Sequence, residues 1–222
     1  MESLRRIPEP HELMDEYEQA KAYAESDFTQ PHNLFVERFG QLFPDFKGGL
    51  VLDVGVGHAD PTIRFARKYP EAHLIGIDGA EQMLSFGRQA IEIAELTDRI
   101  ELRKEYLVEN IFPPVFDAIM ANSLLHHLDN PVGLWKAIKS SSKPGAAIYI
   151  VDLTRPQSID EARQLVDLHS DGAPELMRRD FYNSLLAAFT PQEVREQLGE
   201  AGIDTLAVNK VSDRHIVVHG RM

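Results

Sequence analysis

The chain has 222 residues, of which 43% are hydrophobic, enough for one domain, or one domain with an elaboration, around a sizeable core. With 35 acidic against 23 basic side chains its net charge is -12, and such a surface repels a phosphate backbone and argues against nucleic-acid binding. It contains no cysteine, which excludes disulfides, thiolate metal sites and cysteine nucleophiles. No run of about eighteen apolar residues offers a membrane span, and residues 1–6 lead into acidic text instead of a signal sequence. A cytoplasmic protein without membrane partners is expected.

Leu13, Tyr17, Ala20 and Ala24 recur at helical spacing and predict a first helix; Leu34, Phe35, Phe39 and Leu42 predict a second. Residues 49–54 form a short apolar run closed by glycines, the pattern of a fully buried strand. Asp60 then stands as an N-cap acceptor before Pro61, opening a helix through Ile63, Ala66 and Tyr69. The alternation continues with a strand at 74–78, a helix from Glu81 to about Ala94, strands at 99–103 and 116–121, a helix at 132–139 and a strand at 146–151. Parallel strands joined by helical crossovers imply an α/β sheet covered on both faces.

Beyond the fifth strand, Ile159, Ala162, Leu165 and Val166 mark one helix, and Met177, Phe181, Leu185 and Ala188 another, read together as an inserted cap at about 156–189. Thr190 and Glu193 around Pro191 spell a capping box. Residues 205–211 and 215–219 read as two closing antiparallel strands. The chain thus divides into an N-terminal helical lid segment, 1–48, and a sheet domain, 49–222.

Chemistry concentrates where the first strand runs into Asp53-Val54-Gly55-Val56-Gly57-His58-Ala59-Asp60. Glycines there let the backbone approach a ligand at the carboxyl edge of the sheet, where open α/β sheets bind their ligands. Asp78 ends the next strand, about twenty residues on, where a carboxylate reaches ribose hydroxyls. A dinucleotide fold wants a glycine where Asp60 stands, and a negative charge there opposes a pyrophosphate, so NAD(P) binding is not expected. Asp53 suits a ligand carrying an ammonium and a sulfonium.

From Leu50 to His219 the chain resembles the class I S-adenosylmethionine-dependent methyltransferases. The resemblance is carried by the 53–57 turn, by Ile77-Asp78-Gly79-Ala80-Glu81-Gln82-Met83-Leu84, by the run from Phe116 through Asn122 to His126, His127 and Leu128, and by Lys143-Pro144-Gly145. It implies a Rossmann-like, seven-stranded, mostly parallel sheet with an antiparallel last strand, and S-adenosylmethionine as cofactor. It further implies that Gly55 and Gly57 line the methionine moiety, Asp53 anchors its ammonium directly or through water, Asp78 binds the ribose, Gly79 and Met83 flank the adenine, and Asn122 approaches the methionine end. Two departures stand out: the third turn glycine is Ala59, and Lys104-Glu105-Tyr106 replaces an acidic partner for the adenine amine, leaving either Tyr106 to stack or donate or a backbone carbonyl to serve. Related enzymes place a flap where Tyr23, Phe28, His32 and Asn33 fall.

His126 and His127 follow the fourth strand, where the methyl group should project, and a histidine there is the candidate general base. Because adjacent side chains diverge, one of the two is expected to pack or cap. No metal site is expected, since no further ligand lies nearby in sequence. Asp152 and Arg155 either face substrate or fix the cap by ion pairing; Arg214 and His215 read as structural, and Tyr17, Tyr23 and Trp135 as core. A small-molecule methyl acceptor fits the acidic surface and the cap, with a non-catalytic cofactor sensor or scaffold as the alternative.

Overall fold

The computed structural model describes residues 4–9, 13–106, 108 and 110–222. The expected N-terminal segment therefore lies partly outside the described residues, at 1–3 and 10–12. Two helices, α1 (Tyr17–Ala24) and α2 (Thr29–Leu42), precede β1 (Gly48–Val54), α3 (Asp60–Lys68), β2 (Glu71–Asp78), α4 (Glu81–Ile93), β3 (Ile100–Lys104) and β4 (Phe116–Asn122). A single 3-10 turn (Leu125–His127) leads to α5 (Pro131–Ser141) and β5 (Ser142–Leu153). Then come α6 (Ile159–His169), α7 (Glu175–Ala187), α8 (Pro191–Glu200), β6 (Leu206–Lys210) and β7 (His215–Arg221).

Among the described residues, seven strands form one sheet in the order β3-β2-β1-β4-β5-β7-β6. β1 to β5 pair in parallel, while β7 runs antiparallel to both neighbours, β5 and β6. The order reverses between β1 and β4, and the sites of open α/β sheets lie at such a switch point. Alternation along the central strands sorts side chains onto two cores. Val51, Ala118, Met120, Tyr149 and Val151 face α2 and α3, with Phe35, Phe39 and Phe65. Leu52, Ile119, Ala121, Ile148 and Ile150 face α5 and α8, with Trp135 and Leu198. This period-2 burial on both faces is why these strands read as unbroken apolar runs.

Several expectations need correcting. Helix α1 begins at Tyr17, not at Leu13, and Tyr17 is 53% exposed instead of core. Asp60 does not cap α3: the cap position is Ala59, without a side-chain bond, and Asp60 is the first helical residue. β5 runs from Ser142 to Leu153, longer than the expected 146–151, and takes in Lys143-Pro144-Gly145. The capping box is present, with Thr190 Oγ1 accepting from Glu193 N and the Glu193 carboxylate from Thr190 N. Trp135 is fully buried and donates to Gln197 Oε1 at 3.0 Å.

Candidate active site

The turn after β1 is held in a form only small residues sustain. Gly55 and Gly57 lie at φ 70° and 54°, in the left-handed region. Gly55 N and Val56 N both donate to Ile77 O of β2, at 2.9 and 3.1 Å. A Cβ at Gly55 would stand 2.7 Å from Leu124 Cδ1, so the loop after β4 closes directly on this turn. Ala59 adopts φ 65° although it carries a Cβ, keeping the left-handed geometry that the resemblance assigns to glycine. The Asp60 carboxylate instead receives Arg64 Nε at 2.8 Å and pairs with His32 Nδ1 at 2.6 Å. Burial alone would raise its pKa, yet these two partners hold it well below the ordinary carboxylate range.

Asp53 and Asp78 flank the turn. Asp53 is 3% exposed and accepts Thr62 Oγ1 at 2.5 Å. Burial pushes its pKa up to about 7; the Thr62 hydroxyl opposes the rise and the Asp78 charge adds to it. Asp78 accepts Gly57 N at 2.9 Å on one oxygen and Ala80 N at 2.8 Å on the other. Burial raises its pKa as well, while the two backbone N–H groups and the His127 charge pull it back. One buried and one half-buried carboxylate thus meet at one sheet edge.

The other expected contacts gather along the same edge. Gly79 follows β2, where an added Cβ would come within 2.8 Å of Leu13 Cδ2 and 3.0 Å of Tyr106 Cε1. Tyr106, 59% exposed, therefore lies beside Gly79. Met83 lies on α4 with its methyl 3.1 Å from where a Gly57 Cβ would be. Asn122 ends β4 in register with Val151 of β5.

His126 and His127 share the 3-10 turn after β4, and their rings do not diverge: the centroids are 4.1 Å apart. The expected divergence is absent, while His126 is the one of the two that packs, at 3% exposure. His126 is buried, with Nδ1 2.6 Å from Asp152 Oδ1, and Asp152 Oδ2 also accepts Leu125 N at 2.6 Å. Asp152 thus sits buried behind His126. Arg155 does not pair with it: Arg155 binds Glu193, Ala188 O and Leu4 O, tying α8 and the chain start together. Arg214 pairs with Asp213 and with His169, consistent with a structural part.

Sequence reasoning missed Glu9. Its Oε2 lies 2.6 Å from His127 Nδ1, and its Oε1 accepts Ser184 Oγ at 2.6 Å. Burial acts to raise the Glu9 pKa, but His127, His126 and Ser184 bring it down to about 2. Arg6 anchors the same segment through Ala187 O, His126 O and Leu128 O. Nothing near Glu9 in the sequence marks it, because its partner is 118 residues away. Tyr23, Phe28 and His32, where the resemblance put a flap, gather around His58, whose part was not foreseen, with centroids 5.6, 6.4 and 6.0 Å from the His58 ring. This cluster covers the β1–α3 turn. Burial, then the neighbouring His32 charge, lowers His58 to about 4.

Comparison with known proteins agrees with this geometry. Residues 51–145 match the family model described as a methyltransferase domain. The chain is 32% identical over 112 residues to the demethylmenaquinone methyltransferase of Listeria welshimeri, covering 50% of this chain and 47% of that protein. It is 22% identical over 183 residues to the 27-O-demethylrifamycin SV methyltransferase of Amycolatopsis mediterranei, covering 79% of this chain and 61% of that one. The chain spans about half the length of the Listeria relative. In fold, it is similar to a SAM-dependent methyltransferase from Aquifex aeolicus, with TM-score 0.67 and 21% identity over 91% of this chain and 97% of that chain. The plantazolicin methyltransferase BpumL in complex with SAH gives TM-score 0.70 at 14% identity over 92% and 90%. A methyltransferase-domain match that starts in β1 and runs into β5, on a sheet with this order and this glycine turn, supports the resemblance to class I S-adenosylmethionine-dependent methyltransferases over residues 51–145.

Proposed function

We propose that the protein transfers the methyl group of S-adenosylmethionine to a small-molecule acceptor. The observation that carries this reading is the pair of carboxylates at the strand ends, buried Asp53 and half-buried Asp78, whose hydrogen bonds come from a hydroxyl and two backbone N–H groups. Burial raises the pKa of each. A ligand with an ammonium and a sulfonium supplies compensating positive charge. When bound, S-adenosylmethionine offers an electrophilic methyl carbon, which an acceptor lone pair takes up while the C–S electron pair stays on sulfur.

The chain's own work is placement. Gly55 and Gly57 leave room for the methionine end, with Asn122 beside it; Asp53 holds the ammonium and Asp78 the ribose. Gly79, Met83 and Tyr106 border the adenine. His126 and His127 stand at the methyl-facing edge. Holding nucleophile and methyl carbon in line at about 3 to 3.5 Å is where most of the rate enhancement arises. Helices α1 and α2, the 4–9 segment and α7 lie over this edge, exclude water and shape the acceptor pocket. The acidic surface and the small-molecule acceptors in the names of the Listeria and Amycolatopsis relatives support this acceptor class.

Calorimetry with S-adenosylmethionine and its demethylated product tests the reading. Asp78→Asn should weaken binding by about 1.5 to 3 kcal/mol, the worth of a hydrogen bond to a charged group, or roughly ten- to a hundredfold. Unchanged affinity contradicts the ribose assignment. Methyl label from the cofactor should appear on a low-molecular-weight metabolite of a cell extract; binding without any such transfer would leave a sensor module.

A further inference from the structure

We propose that Glu9, His126 and His127 form a binding site for a divalent transition-metal ion at the edge where the acceptor docks. One donor atom from each residue lies within 4.8 Å of the other two. The histidine rings stand side by side at 4.1 Å. The side chains are already oriented from behind. Asp152 engages His126 Nδ1 at 2.6 Å, which leaves Nε2 for an ion, and Ser184 fixes the second Glu9 oxygen at 2.6 Å. A carboxylate behind a ligating imidazole is the arrangement that sets the tautomer and strengthens the ligand.

The donor chemistry narrows the ion. Two imidazoles and one carboxylate suit Zn²⁺, Fe²⁺, Co²⁺ or Mn²⁺, whereas Mg²⁺ and Ca²⁺ prefer all-oxygen shells. Charge allows it: the Glu9 and Asp152 carboxylates outnumber the Arg6 guanidinium, which is engaged by the main-chain oxygens of His126 and Leu128 and by Ala187 O. Bond lengths of about 2.0 to 2.1 Å place tetrahedral donors roughly 3.3 Å apart. The 2.6 Å Glu9–His127 contact must therefore open slightly and the widest separation must close. Glu9 can make that adjustment, since it reaches the site from the 4–9 segment outside the sheet.

Three protein ligands leave a position open. An acceptor oxygen bound there would lose its proton more readily, and the ion would fix it in line with the methyl group. This last step rests on the methyl-transfer reading, whereas the ion site itself does not.

The test uses the full chain, stripped with a chelator and titrated with Co²⁺, following the visible ligand-field bands and the bound metal by mass spectrometry. One ion per chain is expected. Glu9→Gln and His127→Asn, both at partly buried positions, should each weaken uptake at least tenfold, while His73→Asn, on an exposed position away from the site, should not. Circular dichroism confirms that each variant is folded, and calorimetry follows S-adenosylmethionine in parallel. No Co²⁺ uptake, or uptake that either ligand variant leaves unaltered, overturns the site. If S-adenosylmethionine still binds in that case, the methyl-transfer reading survives; Co²⁺ uptake without cofactor binding would separate the two the other way.

Discussion

At Asp53 the burial that the fold imposes meets the proposed ligand. Its burial beneath the glycine turn keeps the carboxyl protonated up to about pH 7. A cationic ligand favours the ionised form, so binding lowers the pKa and releases a proton, and affinity must rise with pH. S-adenosylmethionine should therefore bind more tightly at pH 8 than at pH 6, with proton release visible by calorimetry in buffers of different ionisation enthalpy. Asp53→Asn should flatten that dependence. At Ala59 the question is backbone strain. Its left-handed φ of 65° and complete burial leave no room for branching. Ala59→Val should cost about 2 kcal/mol or more in denaturant titration, whereas Ala59→Gly trades about 1 kcal/mol of relieved strain against a lost methyl and should stay near neutral. Asp53, Gly55, Gly57 and Asp78 were legible in sequence because a strand, a turn and a second strand fix their positions locally. Glu9 was not, because a through-space pair leaves no spacing to read.

Elements were legible where periodicity and capping agreed. The α8 start combines Thr190, Pro191 and Glu193, and all its expected bonds form. Thr190→Ala should lower stability by about 1 kcal/mol, measured by the midpoint of chemical unfolding. Trp135 joins α5 to α8 through Gln197, itself 7% exposed. Trp135→Phe should cost more than its lost area, about 1 to 3 kcal/mol, because the Gln197 oxygen is left buried without a donor. Local signals failed where tertiary partners competed. Asp60 has the residue type and proline neighbour of a cap, but His32 and Arg64 claim its carboxylate. Leu13 carries the helical period of α1 yet packs near Gly79 instead of extending the helix. At the start of α4, Gln82 N is capped from a distance by Asp15 Oδ1, a contact no window of sequence contains.

Across the whole molecule, two histidines set the acid limit of stability. His58 and His215 are each lowered to about 4, chiefly by burial and then by His32 and Arg214 respectively. Both stay neutral in the fold while the unfolded chain takes up protons near pH 6.5, so their contribution is intact above about 6.5 and is lost as pH falls toward 4. Thermal melts should show a fall between pH 7 and 5, and His215→Gln should reduce it. Glu9 acts in a separate window, since its pKa of about 2 lies below the ordinary carboxylate value.

The sequence by itself determined the alternating sheet, the glycine turn, the two acidic strand ends and hence the cofactor class, because each rests on neighbours within a few residues or on burial of a whole strand. The tertiary structure alone decided the lining of the reactive edge. The 4–9 segment reaches His127 and Arg155, α1 and α2 place Tyr23 and Phe28 over the β1–α3 turn, and Asp152 orients His126 across the sheet. Such contacts join residues far apart in the chain, and their partners are selected only when packing closes the loops between them.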